Sequence, residues 1–329
     1  MRENKISIIT PSFNQGDFIE QTIESVLSQG YPNLEYIIID GGSTDHTLEI
    51  IKKYEQYLTY WVSESDQGQS DAINKGLKHV TGDIFNWINS DDYYEPEVFQ
   101  KVNHYFSESD CDILCGREWV FNDVTGTRIL KPGSTVKDRL EETIEISHID
   151  QPCTFWRYSV FNELTPLNNS FHYLMDAEIW VRYLLTSGQD RIFKVDDILT
   201  NFRIHNSSKT VVFQDSFLRE REMLKMITHG ALGVPDYIIN RLYKRSMKDV
   251  SIGMFSNILL SSTVNKSFFR SSCAFKTYGV FLAEAEYSKA RMAFKDYLVH
   301  GSPKWDIKLV KLIILLFLIP DFLLRKLYH

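Results

Sequence analysis

The chain has 329 residues, 43% apolar and 24% charged, with 36 basic against 43 acidic side chains and a formal net charge of −7. That length suits one large or two ordinary domains, and the balance excludes a wholly disordered or collagen-like chain. The acidic excess argues against a protein built to grip nucleic-acid backbone, which needs a basic surface.

Cysteines stand at 111, 115, 153 and 273 without a second pair at zinc-site spacing, so they read as buried thiols. Met1-Arg-Glu-Asn-Lys5 leads straight into a short apolar run, and no secretory leader is expected. The one membrane-like stretch, Leu309 to Ile319, contains Lys311 and is stopped by Pro320. It is shorter than the roughly 20 apolar residues that spanning requires. Its basic flanks, Lys304, Lys308, Arg325 and Lys326, suit a helix lying on anionic lipid; packing on the chain's own core is the alternative.

The first 110 residues alternate strand and helix signals. Strands are expected at Ile6 to Thr10, Leu34 to Asp40, Tyr60 to Ser63 and Ile84 to Asn89. Helical stripes fall between them, at 18–29, after Asp45 and at Ser70 to Val80, and a Pro96-initiated helix follows. This alternation predicts a parallel sheet with helices on both faces. From 111 to 212 the pattern is mixed. Leu114 to Phe121 and Arg128 to Lys131 flank a turn and read as a hairpin, Asp176 to Leu185 as a helix, and Ile192 to Val195 and Leu199 to His205 as short strands. Beyond 213 the signals are helical, and 278–300 resembles half of a helical repeat.

Ligands of open parallel sheets bind beyond the carboxyl ends of the strands. Polar or acidic turns follow all four strands here: Thr10-Pro-Ser-Phe-Asn14, Asp40-Gly-Gly-Ser-Thr-Asp45, Glu64-Ser-Asp66-Gln-Gly68-Gln-Ser-Asp71 and Asn89-Ser-Asp-Asp92. Neither a Gly-x-Gly-x-x-Gly fingerprint nor a P-loop occurs. A cleft of carboxylates can still hold a polyphosphate through Mg²⁺ or Mn²⁺, and Asp91-Asp92 is a suitable pair. Asp40 reads either as a turn residue or as an acceptor for a base or ribose group.

In order and spacing these motifs resemble the family 2 glycosyltransferases. Asp66-x-Gly68-x-x-Asp71-Ala-x-Asn74-Lys-Gly76, Gln151-Pro-x-Thr-Phe155, Asp176-x-x-Ile-Trp180-x-Arg182 and Phe202-Arg-x-His205-x-x-Ser-Lys-Thr210 extend the resemblance over residues 5 to 210. The resemblance implies an α/β GT-A fold, a Rossmann-like nucleotide-binding sheet merged with an acceptor-binding subdomain, plus a C-terminal helical region. The implied divisions are 1–110 for the nucleotide sugar, 111–212 for the acceptor, and 213–329 for the helices and a membrane-associating tail. The implied nucleotide-sugar residues are Thr10, Pro11, Ser12, Asn14, Asp40, Gly42, Ser43, Asp66, Gly68, Asp71, Asn74, Lys75, Asp91, Arg203 and Lys209. Asp92 and His205 are implied metal ligands for Mn²⁺ or Mg²⁺, Asp176 the general base, and Gln151 and Trp180 acceptor-side residues. Arg182 and Arg203 read equally as structural or phosphate-facing.

Departures from the family pattern are Gly41 where many members have a second Asp, Met175 where relatives often have Glu, and a polar His148-Ile-Asp150-Gln151. The implied function is an inverting, metal-dependent transfer from a nucleoside-diphosphate sugar, UDP favoured, to a hydroxyl of a glycan acceptor. The acceptor would be lipid-linked, in surface polysaccharide or lipopolysaccharide synthesis, with the enzyme peripheral on the cytoplasmic membrane face. A sugar nucleotidyltransferase would need a Gly-rich basic loop near the N-terminus, and Thr10 to Gly16 has no Lys or Arg. A non-catalytic scaffold would be expected to lose some carboxylates, yet Asp91, Asp92 and Asp176 are all present.

Overall fold

The computed structural model describes residues 3–243, 259–283, 286–301, 303, 309, 312, 313 and 317. The chain divides into two compact units, residues 1–218 and 219–329.

The first unit is a nine-stranded mixed sheet in the order β3-β2-β1-β4-β8-β6-β9-β5, with β7 paired to β6. Strands β1 (Ile6–Ser12), β2 (Leu34–Asp40), β3 (Tyr60–Ser63) and β4 (Ile84–Trp87) are mutually parallel, as the alternating sequence predicts. Almost every residue of β1, β2 and β4 is buried, and most are apolar, as in a parallel sheet covered by helices. Helices α1 (Ile19–Leu27), α2 (Thr47–Tyr54), α3 (Gln69–Leu77) and α4 (Val98–Glu108) supply that cover. The core joins Ile6, Ile8 and Ile38 of the strands to Ile23, Val26, Ile51 and Phe99 of the helices.

The sheet continues through β6 (Ile113–Asn122) and β8 (Thr154–Arg157), with β8 antiparallel to both β4 and β6. The expected hairpin is present as β6 and β7 (Arg128–Lys131). The two short strands expected at 192–195 and 199–205 form one strand, β9 (Ile192–Ile204). Its pairing with β6 shifts register around Arg117, which is where the sequence pattern breaks. The two-residue β5 (Tyr93–Tyr94) pairs with β9 at Asn201 and Thr200. This antiparallel pairing carries Arg203 and His205 to the turn after β4.

Helices α5 (Leu140–Ile146), α6 (Tyr158–Leu164) and α7 (Met175–Ser187) belong to the mixed 111–212 part of the sequence pattern. Helix α8 (Lys209–Val212) follows β9, and α9 (Gln214–Ala231) leads into the second unit.

In the second unit, α10 (Asp236–Leu242), α11 (Lys266–Ala283) and α12 (Tyr287–His300) are helical as expected beyond 213. Tyr278, Phe281, Ala290, Ala293 and Phe294 form its core, and Leu309, Leu312 and Ile313 pack against them. Those three belong to the expected lipid-facing tail. Its basic residues Lys304, Lys308, Lys311, Arg325 and Lys326 lie outside the described residues. Among the described residues no helix is long and apolar enough to cross a membrane. All four cysteines are buried thiols in no disulfide, as the spacing predicts.

Candidate functional site

The carboxyl ends of the parallel strands form one rim, as their register requires. Thr10 is buried and shares a hydrogen bond with the Tyr36 hydroxyl at 3.0 Å. Pro11 and Ser12 stand opposite Ile39 and Asp40. The Ser12 hydroxyl is buried with no partner among the described residues, an orphan polar atom at the rim. Asn14 adopts φ +51°. Its Oδ1 accepts the Thr44 N–H at 2.8 Å, and its own N–H donates to Ser43 Oγ at 2.7 Å. The first and second strand-end turns are thereby stapled together.

Asp40 is fully buried and its carboxylate is spent on the turn. Oδ2 accepts the N–H groups of Gly42 and Ser43 at 3.0 and 2.9 Å and the Ser63 hydroxyl at 2.6 Å, while Oδ1 accepts the Ser43 hydroxyl. The turn-residue alternative therefore describes its observed bonds, and direct contact with a base or ribose does not. Gly41 has its own reason. A Cβ there would stand 2.5 Å from Asp66 Oδ2, so the Asp66 carboxylate occupies the space a second Asp would need. Gly42 takes φ +86°, a left-handed conformation that favours glycine.

The loop after β3 is self-braced. Gly68, at φ +113°, donates its N–H to Asp66 Oδ1 at 2.8 Å, and the Gln67 N–H donates to Asp71 Oδ2 at 3.1 Å. Lys75 Nζ donates to the Ser65 carbonyl at 2.8 Å and pairs with Glu64 at 3.0 Å and Asp71 at 3.7 Å. Asn74 turns away from this rim. Its amide exchanges hydrogen bonds with the backbone of Leu167, at 2.9 and 2.8 Å, and so clamps the loop before α7. The expected nucleotide contact of Asn74 is replaced by this brace.

The turn after β4 holds the acidic centre. Thr22 of α1 donates its hydroxyl to the carbonyls of Ser90 and Asp92, at 2.9 and 2.6 Å, which fixes the turn from behind. Asp92 is fully buried; Oδ1 accepts the Arg203 backbone N–H at 2.9 Å and Oδ2 accepts the Asn89 amide at 3.0 Å. Burial, with the neighbouring Asp91 charge adding to it, pushes the Asp92 carboxyl well above the usual carboxylate range. His205 Nε2 lies 3.1 Å from Asp91 Oδ2, and Nδ1 lies 2.8 Å from Ser207 Oγ. The ring packs on Phe18 with centroids 4.2 Å apart. The histidine thus pairs with Asp91, where the sequence reading grouped it with Asp92.

Arg203 is drawn inward. Nε donates to the Asp91 carbonyl at 2.9 Å, Nη1 to both oxygens of Asp123 at 3.1 and 2.8 Å, and Nη2 to Gln21. Its guanidinium also lies over Phe18 and Tyr93, 5.3 and 5.4 Å from the centroids. The structural alternative for Arg203 is the one its geometry fits. The same holds for Arg182, which pairs with Glu178 at 2.8 Å and donates to the carbonyls of Leu164 and Pro166.

Asp176 lies in the first turn of α7, where Oδ1 accepts the Ala177 N–H at 2.7 Å. A helix N-terminus favours the carboxylate, but burial wins and raises its pKa to about 6. The charge of Asp150 adds to the rise and that of His148 opposes it. His148 Nε2 is 3.2 Å from Asp150 Oδ1, while Asp150 Oδ2 is buried with no hydrogen-bond partner among the described residues. Glu118 is buried, and its Oε2 has no hydrogen-bond partner among the described residues; burial first, then Asp150 and Asp92, push its carboxyl well above the usual range. Asp176, Asp150, Glu118 and Asp92 therefore form one electrostatically connected series.

Two acceptor-side expectations are corrected. Trp180 is fully buried against Trp156 in a T-shaped contact at 6.3 Å, so it is core. Helix α7 is buried on most of its surface, Ile179, Val181, Tyr183 and Leu184 included, so Trp180 has only core to enter. Gln151 is buried and donates to Asn86 Oδ1 at 2.9 Å and the Trp87 carbonyl at 2.6 Å, which ties the segment before β8 to β4. Sequence reasoning missed Glu118, Asp123 and Gln21 as site residues. Glu118 lies in a strand and Asp123 in a hairpin turn, and nothing local distinguishes either from ordinary surface acid.

Residues 7–165 match the family described as Glycosyl transferase family 2. An uncharacterized glycosyltransferase of Rickettsia typhi is 26% identical over 212 residues, covering 62% of this chain and 65% of that protein. The chain thus spans just under two thirds of that relative's length. A putative teichuronic acid biosynthesis glycosyltransferase, TuaG of Bacillus subtilis, is 36% identical over 111 residues, covering 32% and 43% of the two chains. The crystal structure of S. aureus TarS 1–349 superposes with a TM-score of 0.57 at 17% identity, covering 92% of this chain and 94% of that one. TarS 1–349 has also been solved with UDP and with UDP-GlcNAc, with TM-scores of 0.56 and 0.55, 17% and 16% identity, and the same coverage of both chains. At this identity the likeness concerns fold. Motifs, sheet topology and family match agree: residues 7–165 belong to glycosyl transferase family 2, on the GT-A fold.

Proposed function

We propose that the protein transfers a sugar from a UDP-sugar to a hydroxyl of a glycan acceptor with inversion at the anomeric carbon. One observation carries this reading. Two carboxylate centres share one unit, Asp176 with a pKa of about 6 and Asp91-Asp92 with His205, and Asp150 and Glu118 connect them electrostatically. The UDP and UDP-GlcNAc complexes of TarS support the choice of UDP.

Asp176 is the general base. Its carboxylate takes the proton of the acceptor hydroxyl while that oxygen bonds to the anomeric carbon and the bond to the diphosphate breaks. One displacement with one base inverts the centre. A base with a pKa near 6 is ionised at neutral pH yet basic enough to accept the proton. Asp91, Asp92 and His205 fit a divalent cation, because two adjacent carboxylates repel and a cation relieves that repulsion. Oxygen ligands with one imidazole suit Mn²⁺ as well as Mg²⁺. When bound, such an ion supplies Lewis-acid stabilisation of the leaving diphosphate. Arg203 and Thr22 keep the acidic turn in place, and Asp40 and Asn14 shape the nucleoside end. The basic residues that flank the tail support a peripheral position on the cytoplasmic membrane face and a lipid-linked acceptor, in surface polysaccharide synthesis, with Leu309, Leu312 and Ile313 packed on the helical core.

Calorimetric titration with UDP, with and without Mn²⁺, tests the donor site. Metal-dependent binding that is lost in Asp92→Ala is expected. Binding indifferent to both metal and substitution would sink the assignment.

Gly41→Ala gives a second check. Its Cβ displaces the end of the flexible Asp66 side chain, so the fold is expected to survive with little change in melting temperature. UDP affinity is expected to fall about five-fold, the worth of roughly one hydrogen bond. Unchanged affinity would remove Asp66 from the nucleotide site.

A further inference from the structure

A line of amides joins the loop after β9 to the acidic turn. Lys209 Nζ donates to Gln69 Oε1 at 2.9 Å. Gln69 Nε2 donates to Asn89 Oδ1 at 2.6 Å. Asn89 Nδ2 donates to Asp92 Oδ2 at 3.0 Å. The three donors come from the start of α8, the start of α3 and the turn after β4, so none of these bonds is a by-product of local backbone geometry.

The ends of the line dictate its polarity. An ammonium only donates and a carboxylate only accepts. Gln69 must therefore turn its carbonyl to Lys209 and its NH₂ to Asn89, and Asn89 must turn its NH₂ to Asp92. Flipping either amide sets two donors or two acceptors face to face. Each bond also polarises the next in the same sense.

We propose that Gln69 is a positioning residue which, through Asn89, couples the seat of Lys209 to the orientation of the Asp92 carboxylate. This rests on the reading of Asp91-Asp92 as the metal-diphosphate centre. Gln69 acts through its neighbours and need not touch the donor. With the relay intact, one Asp92 oxygen is pinned by Asn89 and the other by the Arg203 N–H, so the carboxylate cannot rotate when the cleft is empty. The same relay seats the Lys209 ammonium on Gln69, two amide side chains away from Asp92, before the diphosphate arrives. Metal binding and loop seating then share one ordering cost.

The test is a double-mutant cycle on the full chain, read by UDP titration with and without Mn²⁺. The variants are Gln69→Leu, Lys209→Met and the double substitution, each checked for an unchanged circular-dichroism spectrum. Each single substitution is expected to lower the Mn²⁺-dependent gain in UDP affinity about five-fold, the worth of one hydrogen bond. Because both break the same line, the pair is expected to cost no more than about ten-fold, against about 25-fold for independent sites. A cost equal to the product of the singles would overturn the relay and leave the donor site standing. A Gln69→Leu variant with wild-type metal dependence would overturn it too. Wild-type protein that binds no UDP would overturn the donor-site reading and the relay with it. A merely structural role for Gln69 predicts equal losses with and without Mn²⁺, which separates the two.

Discussion

Asp176→Asn is expected to lower transfer by about 10²- to 10⁴-fold, the usual worth of a positioned base, and to make the protein more stable at neutral pH. The two effects have one cause. Burial raises the carboxyl from its ordinary 3.8 to about 6. The unfolded chain has no such burial, so it ionises near the ordinary value. Between about pH 4 and pH 6 the folded state holds a proton that the unfolded state has lost. Stability therefore falls as pH rises through that window, and the cost is fully present above it. A shift of this size corresponds to roughly 3 kcal/mol, and about 1–2 kcal/mol remains after allowing for partial solvent exposure. The amide carries no charge and Asn Oδ1 can still accept the Ala177 N–H. Chemical denaturation at pH 5 and pH 8 checks the prediction. The variant should lead the wild type at both pH values, with the larger margin at pH 8, where the whole cost is present. The companion kinetic result is a wild-type kcat/KM that rises through about pH 6 to a plateau. A profile flat from pH 5 to 8 would remove Asp176 as the base.

Arg203→Met is the second large effect, and it is structural before it is functional. The guanidinium satisfies the Asp91 carbonyl, the Asp123 carboxylate and Gln21 at once, and its own side chain is only 10% exposed. Methionine fills similar volume but leaves those acceptors without their donor. Removing one partner of such a buried pair costs about 2–4 kcal/mol, less than for a fully enclosed pair because Asp123 is 27% exposed. Arg203→Lys is expected to recover less than half of the loss, since one ammonium cannot reach three acceptors laid out for a planar fork. The acidic turn loses its anchor at the same time. UDP affinity in Mn²⁺ should fall at least ten-fold in both variants, even where the fold is intact by circular dichroism. Full stability and full affinity in the lysine variant would show that charge alone suffices and that the fork geometry is irrelevant.

The comparison of Asp40, Asn74, Arg203 and Gln151 carries a general point about this site. All four sit inside motifs that the family resemblance assigns to the donor and acceptor regions, and for Asp40 and Arg203 the residues alone also allowed a structural role. In the folded protein each spends its polar atoms on the protein. A motif records which residues are needed near a reaction, and many are needed to hold loops still. Turns rich in glycine and free carboxylates do not stay in place without such braces. The Gly41 departure has the same logic in reverse, because the missing side chain leaves room for Asp66.

Local pattern alone determined much of this protein. Apolar runs of strand length separated by amphipathic stretches dictated the parallel half of the sheet. The parallel register then dictated that the polar turns after each strand meet at one rim. Those are short-range facts, and periodicity records them. Tertiary structure decided the rest. Residues 91 and 205 are separated by more than 110 positions, and only the pairing of β9 with β5 and β6 brings His205 to Asp91. The inward turn of Trp180 depends on which face of α7 meets Trp156, and that face follows from sheet packing. The base strength of Asp176 is set by how much water the fold removes from one carboxylate, an amount no spacing of letters encodes.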